Sequence, residues 1–305
     1  KSIKFGSIRA KIMRSIFIEE LVKAAKKNKK IFLIVGDLGF NVVEKFSDQF
    51  PDRFLNVGVA EQNMMGLASG IASEGMHVFV YSIANFPTFR CAEQIRNDLD
   101  CHNLPVTIVA VGGGVSYGNL GYSHHAVQDY ALMRIMPNIL ISSPGDALET
   151  KASVKYLTDN PQPSYIRLDK SDETKHHHKL PGIKPGKWIK ILPSKNSKIF
   201  LTTGNTIHIA KDFVKNKKFK DYGIYTLPLW GMKIKKFQPI QVKKFKRIVS
   251  IEDHLKDAGF GSWLVESIEN KCPNTQISTM GLNNNIFDKV ADQKTLNAIG
   301  GLRLK

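Results

Sequence analysis

The stretch 105-PVTIVAV-111 is apolar almost throughout and runs into the glycines of 112-GGG-114. It is far too short to span a bilayer and reads as a strand buried on both faces. Four other runs share that character: 31-IFLIVG-36, 77-HVFVYS-82, 139-ILISSP-144 and 164-SYIRL-168. Helical patterns separate them, at 12-IMRSIFIEELVKAAKK-27, 61-EQNMMGLASGIASEG-75, 88-TFRCAEQIRNDLDCH-102, 125-HAVQDYALMRIM-136 and 146-DALETKASVKYLTDN-160. Apolar strands joined by helical crossovers imply a parallel sheet covered on both faces.

Past the last of these strands the composition changes. The segment 170-KSDETKHHHKLPGIKPGKW-188 is polar, charged and rich in Pro and Gly, as a linker is. Its adjacent histidines, His176 to His178, are expected to sit in water rather than on a metal. A second βα set follows: 198-KIFLTTG-204, 207-IHIAKDFVK-215, 222-YGIYTLPL-229, 247-RIVSIEDH-254 and 260-FGSWLVESIEN-270. At 305 residues two domains are the natural expectation. The fold class is therefore α/β with two doubly wound domains. A larger parallel-sheet domain is expected over 1–175, a linker over 176–190 and a smaller α/β domain over 191–305.

Composition narrows the function classes. A hydrophobic content of 42% and a charged content of 23% are those of a globular protein. No run suits a membrane span, and the basic start of the chain has no apolar signal-peptide core. Cys91, Cys101 and Cys272 lack metal-ligand spacing and leave one thiol over, which fits a reduced cytoplasm. The net charge of +17 lies in short scattered clusters such as 26-KKNKK-30 and 243-KKFKR-247. No recognition module or interleaved aromatic platform accompanies them, so a nucleic-acid ligand is not expected. The surplus suits anionic small molecules or an acidic partner chain.

Ligands of doubly wound sheets bind at the carboxyl ends of the strands. In the first domain that edge carries 36-GDLGFN-41, 85-NFPTFR-90 and 112-GGGVSYGNLGYSHH-125. The glycines of the last segment do not have dinucleotide-loop spacing, and a mobile, close-packed active-site loop is expected. His124 and His125 read either as an exposed helix start or as substrate-binding groups, with Ser123 capping the following helix. The stretch 57-VGVAEQNMMGLASG-70 begins its helix with Glu61. Ala60, Met64, Leu67, Ala68 and Ile71 fall on one helical face, and Gly58, Gly66 and Gly70 allow close backbone approach. Glu61 is either an acid at a helix N-terminus or a functional carboxylate. No nucleophile elbow, HExxH, CxxC or P-loop lysine is present.

These segments, in order, resemble the pyrimidine-binding domain of transketolases. The resemblance runs through Arg14 in 13-MRSIF-17, 36-GDLG-39, 53-RFLNVGVAEQNMMGLASGIASEG-75, 85-NFPTFRCAEQIRND-98, 121-GYSHHAVQDYALMRIMPN-138, 144-PGDA-147 and 163-PSYIRL-168. The second domain resembles the family's C-terminal domain through 202-TTGNTIHIA-210 and 250-SIEDHLKDAGFGSWLVE-266. The resemblance implies thiamine diphosphate and Mg²⁺ as cofactors and ketol transfer between sugar-type substrates. Glu61 would hydrogen-bond the aminopyrimidine ring. A carboxyl group sharing a proton with ring N1′ favours the imino form of the 4′ nitrogen, which takes the proton from thiazolium C2. Glu61 should therefore be buried. Phe86 and Phe89 would pack against the pyrimidine, Asp37 and Leu38 would face the cofactor across a subunit boundary, and His124 would lie in the substrate channel. His254 is expected to pack the sheet edge or a subunit interface rather than do chemistry.

The same resemblance points to a second chain. The family's diphosphate and Mg²⁺ site is a GDG run followed by an Asn pair, which 36-GDL-38 and 283-NNN-285 do not reproduce. An N-terminal subunit carrying GDG…NN would complete the site, in an α2β2 heterotetramer. Gly112 and Leu120 stand where sugar-phosphate transketolases carry His and Asp. Lys170 stands at the place of a phosphate-binding arginine, and Arg14 is retained at another. Another thiamine-dependent carboligase, a 2-oxoacid dehydrogenase or synthase subunit, and a non-catalytic binding subunit are the alternatives.

Overall fold

The computed structural model describes residues 13–170 and 175–303. Its strands, in chain order, are β1 (Ile31–Val35), β2 (Phe54–Asn56), β3 (His77–Ile83), β4 (Val106–Val111), β5 (Leu140–Ser142), β6 (Ser164–Leu168), β7 (Ile189–Leu192), β8 (Lys198–Thr202), β9 (Gly223–Thr226), β10 (Leu229–Trp230), β11 (Arg247–Leu255) and β12 (Gln276–Leu282). They form a seven-stranded sheet, β10-β5-β6-β4-β3-β1-β2, and a five-stranded sheet, β12-β11-β8-β9-β7. Pairing is parallel except where β10 meets β5 and β7 meets β9. The stretch that decides the fold lies in the middle of the larger sheet. All of β4 is buried, with Val109 beside Tyr81 of β3 and Ile166 of β6. Helices on both faces shield it, which is why its apolar run is unbroken.

Helix Glu61–Ser73 runs from the loop after β2 back to β3. Its buried face is Glu61, Met64, Met65, Ala68, Ser69 and Ala72, one position round from the expected stripe. Leu67 faces outward and is exposed. Among the described residues, nothing beyond their own neighbours in the chain and helix lies within 4 Å of a Cβ built on Gly58, Gly66 or Gly70. Asp129–Arg134 is shorter than the expected helix, and Gln128 rather than Ser123 precedes it. Ser123 Oγ instead pairs with His124 Nδ1 at 3.0 Å. The expected helix over 88–102 is interrupted after Phe86–Phe89 and resumes at Ala92–Gln94 before widening into a π-type turn over Ile95–Asp100.

The second set of elements is more tightly joined to the first than its sequence suggests. Strand β10 leaves the smaller sheet and adds an antiparallel edge to the larger one, Leu229 opposite Ser142. One apolar cluster contains Tyr130 and Ile141 of the first unit together with Trp230, Phe260 and Trp263. At this junction Trp230 touches Tyr130, Phe260 and Trp263, with ring centroids 5.1, 5.2 and 5.2 Å away. Arg167, buried on β6, pairs with Asp129 and with Asp253 of β11. His176 and His177 are not in water. The backbone amides of both donate to Asp146 Oδ2, and His177 Nδ1 lies 3.0 Å from the same oxygen. Burial and the charge of nearby Lys211 push His176 down to about 4. Among the described residues no group of three or more His, Cys, Asp or Glu is arranged to hold a metal ion. No described helix is long and apolar enough to cross a membrane.

Candidate active site at the carboxyl edge of the parallel sheet

Glu61 opens its helix beside the segment that follows β3, and only 3% of its surface is exposed. Arg90 Nη1 donates to Glu61 Oε2 at 2.9 Å. Glu61 Oε1 is buried and, among the described residues, has no hydrogen-bond partner. A buried carboxylate oxygen left without a donor costs on the order of 1–3 kcal/mol, more when charged, and calls for an explanation. A pyrimidine N1′ sharing a proton with Oε1 would supply one, so the residues present fit the pyrimidine end of thiamine diphosphate.

Arg90 owes its position to the break in the helical segment. It lies between Phe86–Phe89 and Ala92–Gln94, and its guanidinium carbon sits 4.3 Å from the Phe86 ring centroid. Phe86 makes an edge contact with His124 at 5.2 Å between centroids. His124 in turn lies 6.4 Å from Tyr117, whose ring carries Lys170 Nζ at 4.6 Å. Glu61, Phe86, His124 and Lys170 are thus joined in one chain of contacts through Arg90 and Tyr117. Arg14 belongs to the same group, because its charge acts on the Tyr117 hydroxyl. Arg14 Nε is buried without a partner. Phe89 is 47% exposed and lines a shallow depression with Asn85, Tyr122, Ser123, His125 and Gln128.

Asp37 and Leu38 lie apart from that chain of contacts. Asp37, in the left-handed backbone region at φ 55°, follows β1 and pairs with Asn56, whose side chain also accepts from Gly58. Through Asn56 and Gly58, Asp37 is tied to the segment that leads into the Glu61 helix. Arg90 and Tyr117 are residues that the sequence pattern did not single out. A signal for Arg90 was present, since it closes the stretch 85-NFPTFR-90. Tyr117 lies within the expected active-site loop 112–125, but nothing marked it out among the loop's residues.

The electrostatics favour an uncharged imidazole. Burial, and then the positive charge of Arg90, hold His124 below its usual range. Burial raises the Tyr117 hydroxyl; Arg14 opposes that rise and Asp169 adds to it. The glycine-rich loop is close-packed for a steric reason. A Cβ at Gly112 would fall inside the Tyr117 ring, one at Gly113 would overlap Arg167, and one at Gly114 would overlap Asp253. Gly112 and Gly114 also adopt φ of 85° and 63°, which side chains disfavour.

A family model described as transketolase, pyrimidine binding domain, matches residues 10–174. A putative transketolase C-terminal section from Methanocaldococcus jannaschii is 32% identical over 275 residues, covering 89% of this chain and 86% of that one. One subunit of an apulose-4-phosphate transketolase from Phocaeicola vulgatus is 30% identical over 274 residues, 85% of each chain. A 1-deoxy-D-xylulose-5-phosphate synthase from Clostridium perfringens is 30% identical over 280 residues, but the match covers only 45% of that longer chain. Among solved structures, a split-gene transketolase described as an inactive β4 tetramer superposes with a TM-score of 0.82 at 26% identity, covering 96% of this chain and 95% of that one.

Proposed function

The chain belongs to the transketolase family, and we propose that it is the C-terminal subunit of a two-chain, thiamine diphosphate-dependent ketol transferase. The observation that carries the reading is Glu61 Oε1, buried and partnerless beside an Arg90-bound Oε2. When bound, thiamine diphosphate supplies a carbanion-stabilising thiazolium. Glu61 is placed to share a proton with the pyrimidine N1′. Arg90 holds Oε2, which leaves Oε1 open to a further partner and supports that role. Phe86 and Phe89 offer an aromatic wall for the pyrimidine, and Asp37 with Leu38 borders the cofactor from a neighbouring subunit. His124, held neutral, can donate or accept at a sugar hydroxyl without bringing charge into the channel. Arg14 and Lys170 supply positive charge for an anionic sugar.

A partner carrying the GDG…NN domain, with Mg²⁺ and the diphosphate held mainly on its side, is part of the proposal, as are the α2β2 assembly and the cytoplasmic setting. The relatives that this chain nearly spans are named as a transketolase's C-terminal section and as one subunit of a transketolase. The rim of the site supports docking. Phe40, Val59, Phe89, Leu120 and Tyr122 are all exposed on the segments that follow β1 to β4. The similarity to 1-deoxy-D-xylulose-5-phosphate synthase supports a second reading, a carboligase joining pyruvate to an aldehyde on the same scaffold. Calorimetry tests the first. The chain alone should bind thiamine diphosphate weakly or not at all, and mixing with the N-terminal subunit should create a tight, Mg²⁺-dependent site. Tight binding by this chain alone would sink the shared-site proposal.

A further inference from the structure

Three consecutive residues of the loop after β4 are fixed from different directions. Ser116 Oγ donates to Asp169 Oδ1 at 2.8 Å. The Tyr117 ring fills the space beside Gly112 and lies against Lys170 Nζ at 4.6 Å. Gly118 is pressed so closely on the Ala291 carbonyl and the Leu296 side chain that a Cβ there would overlap both. Gln293, at the start of helix Gln293–Ile299 in the second unit, closes the arrangement. Its Nε2 donates to Ser116 Oγ and to Asp169 Oδ2, both at 3.2 Å. Asp169 is 5% exposed and also accepts from the Asn205 amide.

Two physical needs meet here. A lysine ammonium on a flexible four-carbon stem is a poorly organised anion ligand compared with an arginine fork, so something else must hold it in place. Asp169, next in sequence to Lys170, would repel an anion unless its charge is taken up by donors. Ser116, Asn205 and Gln293 take it up, and contact with the Tyr117 face restrains the ammonium.

Resting on the reading of Lys170 as substrate-binding, we propose that Asp169 and Gln293 are positioning residues for the anionic group of the substrate, so that the C-terminal unit sets substrate affinity without touching substrate. The test uses Gln293→Met, which keeps the length and removes the donor, and Gln293→Lys, which restores a donor toward Asp169. In the reconstituted complex, Gln293→Met should raise KM for D-xylulose 5-phosphate about threefold to tenfold, the worth of roughly one hydrogen bond. The kcat should stay within about twofold, the KM for unphosphorylated D-xylulose should not move, and Gln293→Lys should restore the ratio. On the full chain alone, Gln293→Met should speed amide exchange over residues 116–118 and weaken binding of inorganic phosphate by a similar factor. Unchanged exchange and phosphate binding would overturn the proposal, as would a KM shift equal for both sugars. The measurements on the chain alone also separate the two ideas. If they behave as expected while the complex transfers no ketol unit, the clasp stands and the functional reading falls.

Discussion

Each sheet carries a buried glutamate and a histidine near its carboxyl edge, and the two pairs are finished differently. In the smaller sheet, Glu252 accepts from the amides of Phe260 and Gly261 at 2.6 and 2.8 Å. His254 gives its Nδ1 proton to the Leu255 carbonyl at 2.7 Å, accepts at Nε2 from the Ala131 amide at 3.4 Å, and stacks on Tyr130. Both side chains are fully buried. In the larger sheet, Glu61 keeps one buried oxygen without a partner, and His124 is only half-buried. A polar group whose bonding is complete within the fold serves the fold. Other buried atoms, Glu149 Oε1 among them, also lack a hydrogen-bond partner, but Glu61 Oε1 does so at the carboxyl edge of the parallel sheet, where ligands of such sheets bind.

The largest expected break of that contrast is at Glu61. Replacing it with the near-isosteric Gln should cut turnover by on the order of 10²–10⁴, the usual worth of a positioned proton-transfer group. The loss should appear as slowed deuterium exchange at the cofactor C2, with substrate KM little changed, because Glu61 is not proposed to touch substrate. If Glu61 were only a helix-start acid, the change would cost well under ~1 kcal/mol of stability and leave C2 exchange as it was.

The histidines should separate next. His124→Ala should lower kcat/KM by on the order of tenfold while leaving the melting temperature nearly unchanged, since it removes about one substrate hydrogen bond. His254→Ala should do the reverse. It should cost about 2–4 kcal/mol of stability through the cavity and the abandoned partners, while the folded fraction keeps its kinetic constants. Calorimetric melting and steady-state kinetics on both variants decide this.

Glu252 makes a smaller, pH-dependent prediction. Burial raises it from 4.5 to about 8, against the pull of the two amides. The folded state therefore keeps a proton that the unfolded state has already released, and stability drains as pH rises from about 4.5 through about 8. Buried His77, His176 and His254, each held at about 4, act oppositely below 6.5. Between pH 6.5 and 8 those histidines no longer contribute, but Glu149, raised by burial to about 7, and His177, raised from 6.5 by its carboxylate partners, still do, so Glu252→Gln should make the fall in melting temperature shallower rather than abolish it. A parallel slope in that variant would remove Glu252 from the account. The smallest effect concerns Arg90. Its charge is the second cause of the lowered His124, after burial, so Arg90→Met should move the imidazole titration only part of the way back toward 6.5, readable by NMR.

How legible was all this? The strands β1, β3 and β4 were plain because burial on both faces leaves a nearly unbroken apolar run, while β5, β6, β8, β9 and β11 were named from shorter or more mixed runs. The strands β2, β7, β10 and β12 were not marked, and for three of them the reason is visible. β2 is three residues long, β10 is two, and β7 alternates between half-buried and exposed positions at the sheet edge. The site was legible as an ordered set of segments, and Glu61, Phe86, His124 and Lys170 do converge. Asp37, named from the same segments with Leu38, is bonded instead to Asn56, on the loop that leads into Glu61.

Taken by itself, the amino-acid sequence determined the α/β class, the order of the main elements and the family, because periodicity and ordered motifs are local or one-dimensional properties. Only the tertiary structure decided which bonds were completed. It turned the buried stripe of the Glu61 helix by one position, placed Arg90 on Glu61 and Tyr117 against Gly112, and drew His176 and His177 onto Asp146. It also carried β10 across to the larger sheet, and Gln293 to Ser116 across 177 residues of chain. Hydrogen bonds and close contacts depend on distances in space, and residues far apart in sequence meet there only after the whole chain has packed.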